Sequence, residues 1–281
     1  MKGLVSEFDL VAPETLTEAI SLAGSMTPIA GGTDLMVLLE SGHLAPGKFM
    51  SLAQVKELRS IEETSDVIRL GATVTFSEIR QHPIMQKEFP ILVDAAAETG
   101  GIAIQNRGTI GGNIVNASPA ADSPPGLLVY DATVVLQGPN GERRVAYDRF
   151  HLDYKKMDLL SGELLTAVEI PRRHDGERIH YFRKIGTRKA QAISKVVAAG
   201  VADVSGGSVA NVKFAVGSVG PTVMRLRHVE KEMMQGSGAE SIRRAVAASI
   251  KPLDDVRSTR QYRLAVAMNA AEEFAERMAS R

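Results

Sequence analysis

The sequence predicts an α+β fold in three consecutive parts, residues 1–55, 56–171 and 172–281. Glycine turns separate short strands from amphipathic helices in the first two parts, and the third part opens with a pair of valine-rich strands before three helical segments. Strands followed by helices predict a sheet that helices cover on one side. A length of 281 residues is typical of two domains or three small ones.

The first part alternates short strands and helices. Thr15 and Glu18 have the spacing of a capping box, which predicts a helix over 15–23 that ends at Gly24. The elements predicted after this helix are a brief strand over 27–30, a tight turn at 31–32 and a helix over 34–41.

The second part mixes strands with short helices. Its predicted elements are strands over 67–71, 133–136, 143–147 and 164–170, a short helix capped by Thr75 and Glu78, and an alanine-rich helix over 91–98. Residues 100–126 are rich in glycine, asparagine, serine and proline, and we expect the run 108–122 within them to lack regular secondary structure. A loop of this length in a compact domain usually holds a ligand.

The third part is predicted as a strand pair followed by helices. Strands over 196–204 and 209–216 flank two glycines, which favours an antiparallel hairpin. The predicted helices cover 225–235, 239–249 and 258–279, and Ser258 with Gln261 is expected to cap the last one.

The composition excludes several kinds of site. The chain has no cysteine, which rules out disulfides, thiolate zinc sites, iron–sulfur ligation and a cysteine nucleophile, so any redox role needs a non-protein group. The six histidines show no metal-ligand spacing. No window approaches the ~20 apolar residues of a membrane span and the first residues lack a signal-peptide pattern, so a cytoplasmic location is expected.

The charges balance overall but not along the chain. Thirty-three basic and 33 acidic residues cancel, which gives no argument for nucleic acid or an anionic membrane as a partner. Residues 1–100 contain 7 Lys and Arg against 14 Asp and Glu, and residues 101–281 contain 26 against 19. Either a partner or an anionic ligand uses this difference, or it reflects only a solvated surface.

The first candidate site is a glycine turn, Ala30-Gly31-Gly32-Thr33-Asp34-Leu35. Two glycines between a strand and a helix let the backbone approach a ligand, and the free N–H groups at the helix start suit a diphosphate. Thr33 is either a further hydroxyl donor or the helix cap. Taken alone, such a turn is also common as a purely structural feature.

The second candidate site combines two runs, Gly108-Thr109-Ile110-Gly111-Gly112-Asn113 and Ser118-Pro119-Ala120-Ala121-Asp122. Glycine and small polar residues dominate both runs. Asn113 and Ser118 offer hydrogen-bond donors, and Asp122 can accept from ribityl or ribose hydroxyls. An irregular surface loop is the alternative interpretation.

The third candidate site is the densest basic run, Phe182-Arg183-Lys184-Ile185-Gly186-Thr187-Arg188-Lys189. It faces an anionic ligand or an acidic partner, or else it lies on a solvated strand edge where charge discourages aggregation.

Together, these motifs resemble the flavin subunit of molybdenum hydroxylases, which is the medium subunit of carbon monoxide dehydrogenase and the central domain of xanthine dehydrogenase. The runs that carry the resemblance are Gly31-Gly32-Thr33-Asp34, Thr109-Ile110-Gly111-Gly112-Asn113 and Ser118-Pro119-Ala120-Ala121-Asp122. Further matches extend it over essentially the whole chain: Leu164-Leu165, Glu169-Ile170-Pro171, Lys184, Arg188, Ile193 and Lys195.

The resemblance implies an FAD-binding fold of the vanillyl-alcohol-oxidase/PCMH type, with two α/β subdomains around FAD and a C-terminal domain of a small sheet with helices. Carried across by position, the diphosphate would be held by Ala30, Gly31, Gly32, Thr33, Asp34 and Leu35, and a second diphosphate and ribityl wall would comprise Thr109, Gly111, Gly112 and Asn113. Hydroxyls of the adenosine or ribityl arm would bind Ser118 and Asp122, and the isoalloxazine would lie near Leu165 and Lys184. Some relatives tether the flavin through a histidine where this chain has Thr33 and Asp34, so FAD is expected without a covalent bond.

The resemblance also implies an electron-transfer subunit in which no side chain acts as acid or base and no metal is bound. Its partners would be an iron–sulfur small subunit and a molybdopterin large subunit, and its electron acceptor NAD+, a quinone or oxygen. The absence of cysteine agrees with this, because the clusters must then belong to another chain. Two alternatives stay open: a stand-alone flavin-dependent oxidoreductase of the same fold, and a maturation or scaffold protein that lost the cofactor.

Overall fold

The computed structural model describes residues 7–173, 176–188 and 191–280. Within these residues the chain forms three larger β-sheets in succession, with a two-stranded ribbon beside the second. Helices connect or cover each sheet, so the predicted α+β fold is confirmed.

The first sheet is parallel and three-stranded. Its elements are β1 (Phe8–Val11), α1 (Leu16–Leu22), β2 (Thr27–Ile29), α2 (Leu35–Glu40) and β3 (Gly47–Ser51), with β3 between β1 and β2, followed by 3₁₀ turns at Leu52–Gln54 and Lys56–Leu58. Thr15 caps α1 as predicted, because its hydroxyl accepts a hydrogen bond from the N–H of Glu18. The Glu18 carboxylate, however, accepts from the N–H of Glu14 rather than from that of Thr15, so the predicted capping box is only half formed.

The second sheet is antiparallel. In chain order its region contains β4 (Ile61–Glu63), β5 (Val67–Gly71), α3 (Phe76–Gln81), α4 (Pro83–Glu88), α5 (Pro90–Glu98), α6 (Ile102–Gln105), α7 (Ile110–Val115), α8 (Pro124–Val129), β6 (Thr133–Gly138), β7 (Gly141–Ala146), α9 (Tyr147–Phe150), β8 (His151–Asp153), β9 (Lys156–Met157) and β10 (Leu164–Pro171). The strand order is β4-β5-β10-β6-β7, and β8 pairs with β9 as the ribbon. The predicted hairpin of β6 and β7 is confirmed, and Thr75 with Glu78 forms the complete capping box predicted at α3.

The expectation that the run 108–122 lacks regular secondary structure is wrong. This run contains α7, and α6 and α8 flank it. Ile110 and Ile114 are fully buried and lie four residues apart, so they anchor one face of α7. Thr109 caps this helix by accepting from the N–H of Gly112. The adjacent glycines lower the helix propensity of the segment, which is why its sequence pattern does not indicate a helix.

The third sheet is antiparallel and lies in the C-terminal part. Its region contains β11 (Glu177–Ile185), β12 (Val196–Ser205), β13 (Ser208–Gly217), β14 (Met224–Arg225), α10 (Arg227–Met234), α11 (Ala239–Ser249) and α12 (Arg260–Ala279). The predicted hairpin is confirmed as β12 and β13. The cap predicted at Ser258 and Gln261 is wrong. The hydroxyl of Thr259 accepts from the N–H of Tyr262, while the N–H of Ser258 donates to Asp255.

Three clusters of buried apolar side chains hold the sheets together. The largest surrounds the second sheet and receives Ala199, Val201 and Ala215 from the third. Another lies between the third sheet and α10, α11 and α12, so helices cover one face of that sheet as predicted while the other face packs on the second part. Because the second and third parts share a core, the three domain boundaries stay a prediction. Among the described helices, none combines the length and the apolar character needed to cross a bilayer.

Candidate functional site

The two glycine motifs meet in the structure. The first connects β2 to α2, and the second forms the start of α7. A β-carbon at Gly31 would lie 1.9 Å from the carbonyl oxygen of Arg107, so the two backbone segments are in direct contact. Close by, a β-carbon at Gly112 would lie 3.8 Å from the β-carbon of Ala30. The motifs therefore belong to one site.

A cavity of about 630 Å³ opens between the motifs. This volume lies within the roughly 300–1,000 Å³ that small-molecule and cofactor sites occupy. The predicted cofactor contacts that line it are Ala30, Gly31, Gly32, Thr33, Asp34, Leu35, Thr109, Gly111, Gly112, Asn113 and Leu165. The structure thus brings together most of the residues that the sequence singled out, from three separate segments of the chain.

The glycines of the site serve different purposes. Gly31 and Gly111 permit close packing: a β-carbon at Gly111 would lie 2.7 Å from that of Ala72. Gly32 has a φ of 73°, a backbone angle that residues other than glycine rarely adopt. Gly112 is half-buried in the cavity wall, where a β-carbon would meet the Thr109 hydroxyl at 2.9 Å. The first three therefore build the wall, and Gly112 leaves space inside it.

The wall offers backbone donors instead of cations. In the part of the chain that the structure describes, no hydrogen bond engages the N–H groups of residues 31–35 or the hydroxyl of Thr33. Thr33 is not the helix cap, because Asp34 occupies that position and its side chain makes no capping bond. Free N–H groups at the start of a helix carry partial positive charge and attract anions.

Asn113 adds a polar side chain to this wall. Its side-chain oxygen accepts a hydrogen bond of 2.7 Å from the hydroxyl of Ser123, a residue of the segment that leads into α8. In the described residues its amide NH₂ group has no acceptor, so it is available to a ligand.

Asp34 and Glu163 are the charged side chains of the lining within the described residues. Arg143 donates two hydrogen bonds of 2.7 and 2.8 Å to the Glu163 carboxylate, and the N–H of Leu160 donates a third. The bonds from Arg143 hold the pKa of Glu163 below its usual value, so this carboxylate is ionised at neutral pH and balanced by a neighbouring guanidinium. Sequence analysis missed residues 159–163, where the serine-glycine turn before β10 was the only local signal.

Three predicted contacts, Ser118, Asp122 and Lys184, lie outside the cavity lining. The Lys184 ammonium donates to the Asp122 carboxylate at 2.6 Å and to the carbonyl of Glu98 at 2.7 Å, and both charged side chains are buried. Ser194 donates a further hydrogen bond of 2.6 Å to Asp122. Burial raises the pKa of Asp122, while the Lys184 ammonium acts in the opposite direction. Contact of these three residues with a cofactor stays a prediction.

The basic run of the third candidate site begins within β11, an edge strand of the third sheet. Residues 182–185 belong to the strand and residues 186–188 follow it. Arg183 is exposed and Lys184 is buried, as expected for neighbours on a strand. Lys189 lies outside the described residues. Arg183 agrees with the interpretation as a charged strand edge, because it is exposed on this strand.

The described residues contain no group of three or more histidine, aspartate or glutamate side chains placed to hold a metal ion. His174 lies outside the described residues.

These features make the cavity a candidate dinucleotide-binding site. Two glycine-containing backbone segments meet around it, and their free N–H groups suit a diphosphate. FAD fits the donor set and the size of this cavity. Residues 6–173 match the family described as FAD binding domain in molybdopterin dehydrogenase, and residues 180–278 match the family described as CO dehydrogenase flavoprotein C-terminal domain. The chain belongs to this family of flavoprotein subunits, and FAD is its cofactor.

Individual relatives agree with this assignment. The xanthine dehydrogenase FAD-binding subunit of Escherichia coli O157:H7 is 30% identical over 261 residues, which cover 89% of this chain and 88% of the relative. The carbon monoxide dehydrogenase medium chain of Hydrogenophaga pseudoflava is 29% identical, over 92% of this chain and 93% of its own. A solved structure of carbon monoxide dehydrogenase from the same organism matches with a TM-score of 0.89 and 27% identity over 95% of both chains. The predicted family, fold, oxidoreductase class and cofactor are confirmed.

Proposed function

We propose that this chain is the electron-transfer subunit of a molybdenum-containing hydroxylase complex. FAD bound in the cavity would accept electrons from the iron–sulfur clusters of a small partner subunit and release them to NAD+, a quinone or oxygen, while a molybdopterin large subunit oxidises the substrate. The observation that carries the proposal is that both glycine motifs line one cavity in a chain without cysteine. The medium chains among its relatives support the same assignment.

The N–H groups of residues 31–35 would hold the diphosphate of FAD. No lysine or arginine of the described chain lines the cavity, so backbone dipoles, with the Thr33 hydroxyl and the Asn113 amide, would balance the phosphate charge. Leu165 would pack against the isoalloxazine. Lys184 would affect the cavity indirectly. Its ammonium donates a hydrogen bond to the carbonyl of Glu98, and the next residue, Thr99, lines the cavity.

The cofactor would be held without a covalent bond. Among the described residues, the lining contains no histidine, cysteine or tyrosine that could tether the flavin.

The cavity also bears on the alternative of a stand-alone oxidoreductase. Such an enzyme needs a general acid or base beside the substrate. The charged side chains that the described lining offers are Asp34 and Glu163, and Glu163 is engaged by Arg143 with a lowered pKa. This arrangement favours electron transfer, in which the side chains position the cofactor and move no proton.

Purification of the chain alone and with two partner subunits tests the proposal. We expect the isolated chain to carry FAD that acid precipitation releases, and we expect the substrate of the complex to reduce this flavin only when all three subunits are present. Reduction of the isolated chain by an organic substrate would favour the stand-alone oxidoreductase. A colourless chain that cannot be reconstituted with FAD would leave only the scaffold interpretation.

A further inference from the structure

A second cavity, of about 220 Å³, lies between the second and third parts of the chain. One wall comes from α8, α9 and β8, and the other from β14, the two residues before it and the start of α10. Among the described residues, the second cavity and the cofactor cavity have no lining residue in common. Its volume is below the roughly 300–1,000 Å³ of most small-molecule sites, so a ligand here is much smaller than a nucleotide.

The Tyr147 hydroxyl is a buried polar group in the wall of this second cavity. Tyr147 is 3% exposed, and no described residue gives its hydroxyl a hydrogen-bond partner. Folded proteins satisfy most buried polar groups, because an unsatisfied one costs free energy. Burial raises the pKa of Tyr147, so the hydroxyl stays protonated and can donate. An acceptor atom on a ligand in the cavity would satisfy it.

His151 lines the same cavity and has an unused acceptor. Its Nε2 lies 2.9 Å from the carbonyl oxygen of Ile114. Because a carbonyl only accepts, Nε2 carries the hydrogen, and Nδ1 of the neutral ring is left as an acceptor without a donor among the described residues. Burial lowers the pKa of His151, which keeps the ring neutral at pH 7. A ligand that satisfies Nδ1 must therefore bring a hydrogen-bond donor.

Two arginines line the cavity, and they differ in the donors that they leave free. All three guanidinium nitrogens of Arg225 donate within the protein, to Glu230 and Asp131. Arg227 donates to Asp148 through Nη2 at 2.7 Å, and its Nε and Nη1 have no partner among the described residues. A guanidinium matches a carboxylate in charge and in hydrogen-bond geometry. The free donors of Arg227 therefore suit a carboxylate on the ligand.

We propose that this second cavity binds a small carboxylate that carries a hydroxyl group on the neighbouring carbon. Its carboxylate accepts hydrogen bonds from Arg227 and from the Tyr147 hydroxyl, and its own hydroxyl donates to Nδ1 of His151. The Tyr147 and His151 rings are in contact, with centroids 5.4 Å apart, so one small molecule can reach both side chains. A phosphate dianion is disfavoured, because its second charge is repelled by Asp148 in the wall. This inference does not depend on the proposed function.

The test uses the full chain with FAD bound and lactate as the probe. Equilibrium dialysis with radiolabelled lactate should show saturable binding of one molecule per chain, with a dissociation constant of about 1 mM or less. Tyr147→Phe and Arg227→Gln should each bind lactate at least about tenfold more weakly. The matched controls are Tyr154→Phe and Arg244→Gln, which change exposed side chains outside the lining and should bind lactate like the wild type.

The stability of Tyr147→Phe separates a lost ligand contact from a damaged fold. Because the Tyr147 hydroxyl has no partner within the described protein, its removal should leave the free energy of unfolding without lactate unchanged or higher. Lactate should raise the Tm of the wild type and of Tyr154→Phe, and should raise that of Tyr147→Phe much less. A less stable Tyr147→Phe protein would show that the hydroxyl serves the fold, which would overturn its role as a ligand donor.

Related probes test the chemical class of the ligand. Propionate lacks the hydroxyl and should bind at least about tenfold more weakly than lactate. Equal binding of the two would overturn the contact with His151, and tighter binding of inorganic phosphate would overturn the choice of a carboxylate. The proposal fails altogether if lactate shows no saturable binding up to about 10 mM, or if Tyr154→Phe loses as much affinity as Tyr147→Phe.

Discussion

The α-carbon of Gly31 lies against the carbonyl oxygen of Arg107, so closely that a β-carbon at position 31 would fall 1.9 Å from that oxygen. This contact fixes the turn between β2 and α2 to the segment before α7. The second motif is in turn anchored in the main apolar core through Ile110 and Ile114. The cavity that both motifs line therefore depends on the packing of backbone against backbone.

Gly31→Ala should break this contact. Because the obstacle is a backbone carbonyl that cannot rotate away, we expect the free energy of unfolding to fall by about 2 kcal/mol or more and FAD retention to fall with it. Urea unfolding and the flavin-to-protein ratio measure the two effects. Gly238→Ala is the control, since position 238 has a φ of −67° and no atom within 4 Å of the added carbon, and its cost should stay within about 1 kcal/mol. Equal effects of the two substitutions would contradict the packing described here.

Lys184→Met should be strongly destabilising, because it leaves the buried Asp122 carboxylate without its cation. Breaking a buried ion pair costs about 3–5 kcal/mol, whereas replacing both partners by neutral side chains costs much less. We therefore expect the double variant Asp122→Asn, Lys184→Met to lose less free energy of unfolding than the two single variants lose together. The difference should be about 1–3 kcal/mol in a double-mutant cycle from urea unfolding. Strictly additive effects would show that the pair contributes nothing as a pair. FAD affinity of the same variants tests whether either residue also acts on the cofactor.

His180 should make stability depend on pH. Its Nδ1 accepts a hydrogen bond of 3.1 Å from the Tyr130 hydroxyl, and burial lowers the pKa of His180 from 6.5 to about 4. The unfolded chain binds a proton near pH 6.5 that the folded chain does not, so stability is complete above that pH and declines as the pH falls towards 4. His180→Asn offers an oxygen acceptor and does not titrate.

When the pH is lowered from about 7 to about 5, the free energy of unfolding of the wild type should therefore fall by about 1–2 kcal/mol more than that of His180→Asn. This value allows for the partial exposure of the ring. Urea midpoints at both pH values provide the measurement. Parallel losses in the two proteins would show that His180 titrates normally in the folded state.

Arg143→Met should weaken FAD binding without touching the cavity wall. It removes the guanidinium that balances Glu163, and an uncompensated carboxylate in the wall repels the diphosphate. We expect a loss of about tenfold in affinity, smaller at high salt and largely restored by Glu163→Gln. Arg144→Met is the matched control, because Arg144 is adjacent on β7 and pairs with Glu169, which does not line the cavity. Fluorescence titration with FAD would contradict this prediction if both arginine variants bound equally well.

The parts of the fold that follow from local chemistry could be predicted from the sequence. Thr75 and Glu78 lie three residues apart, and the side chain of each accepts a hydrogen bond from the backbone N–H of the other at the start of α3. The hairpin of β12 and β13 follows from two valine-rich runs around adjacent glycines. The glycine motifs were recognisable because tight turns and close contacts between two backbone segments require glycine.

What the sequence could not provide depends on contacts between distant residues. Arg143 and Glu163 pair across twenty positions, and neither stands in a motif. Helix α7 contains two glycines, so only burial of Ile110 and Ile114 in the folded core explains it. Lys184 stands in a basic run that predicts an exposed strand edge as readily as a site. Its burial is explained by Asp122, which lies on another segment of the chain.

The FAD content of Gly112→Leu tests the central claim most directly, which is that both glycine motifs enclose one cofactor. A β-carbon there meets only the Thr109 hydroxyl and the β-carbon of Ala30, so a larger side chain occupies the space between the motifs and not the core. We predict a folded protein with a wild-type circular dichroism spectrum and an FAD affinity lowered at least about 100-fold. A folded Gly112→Leu protein that retains FAD with wild-type affinity would contradict the account.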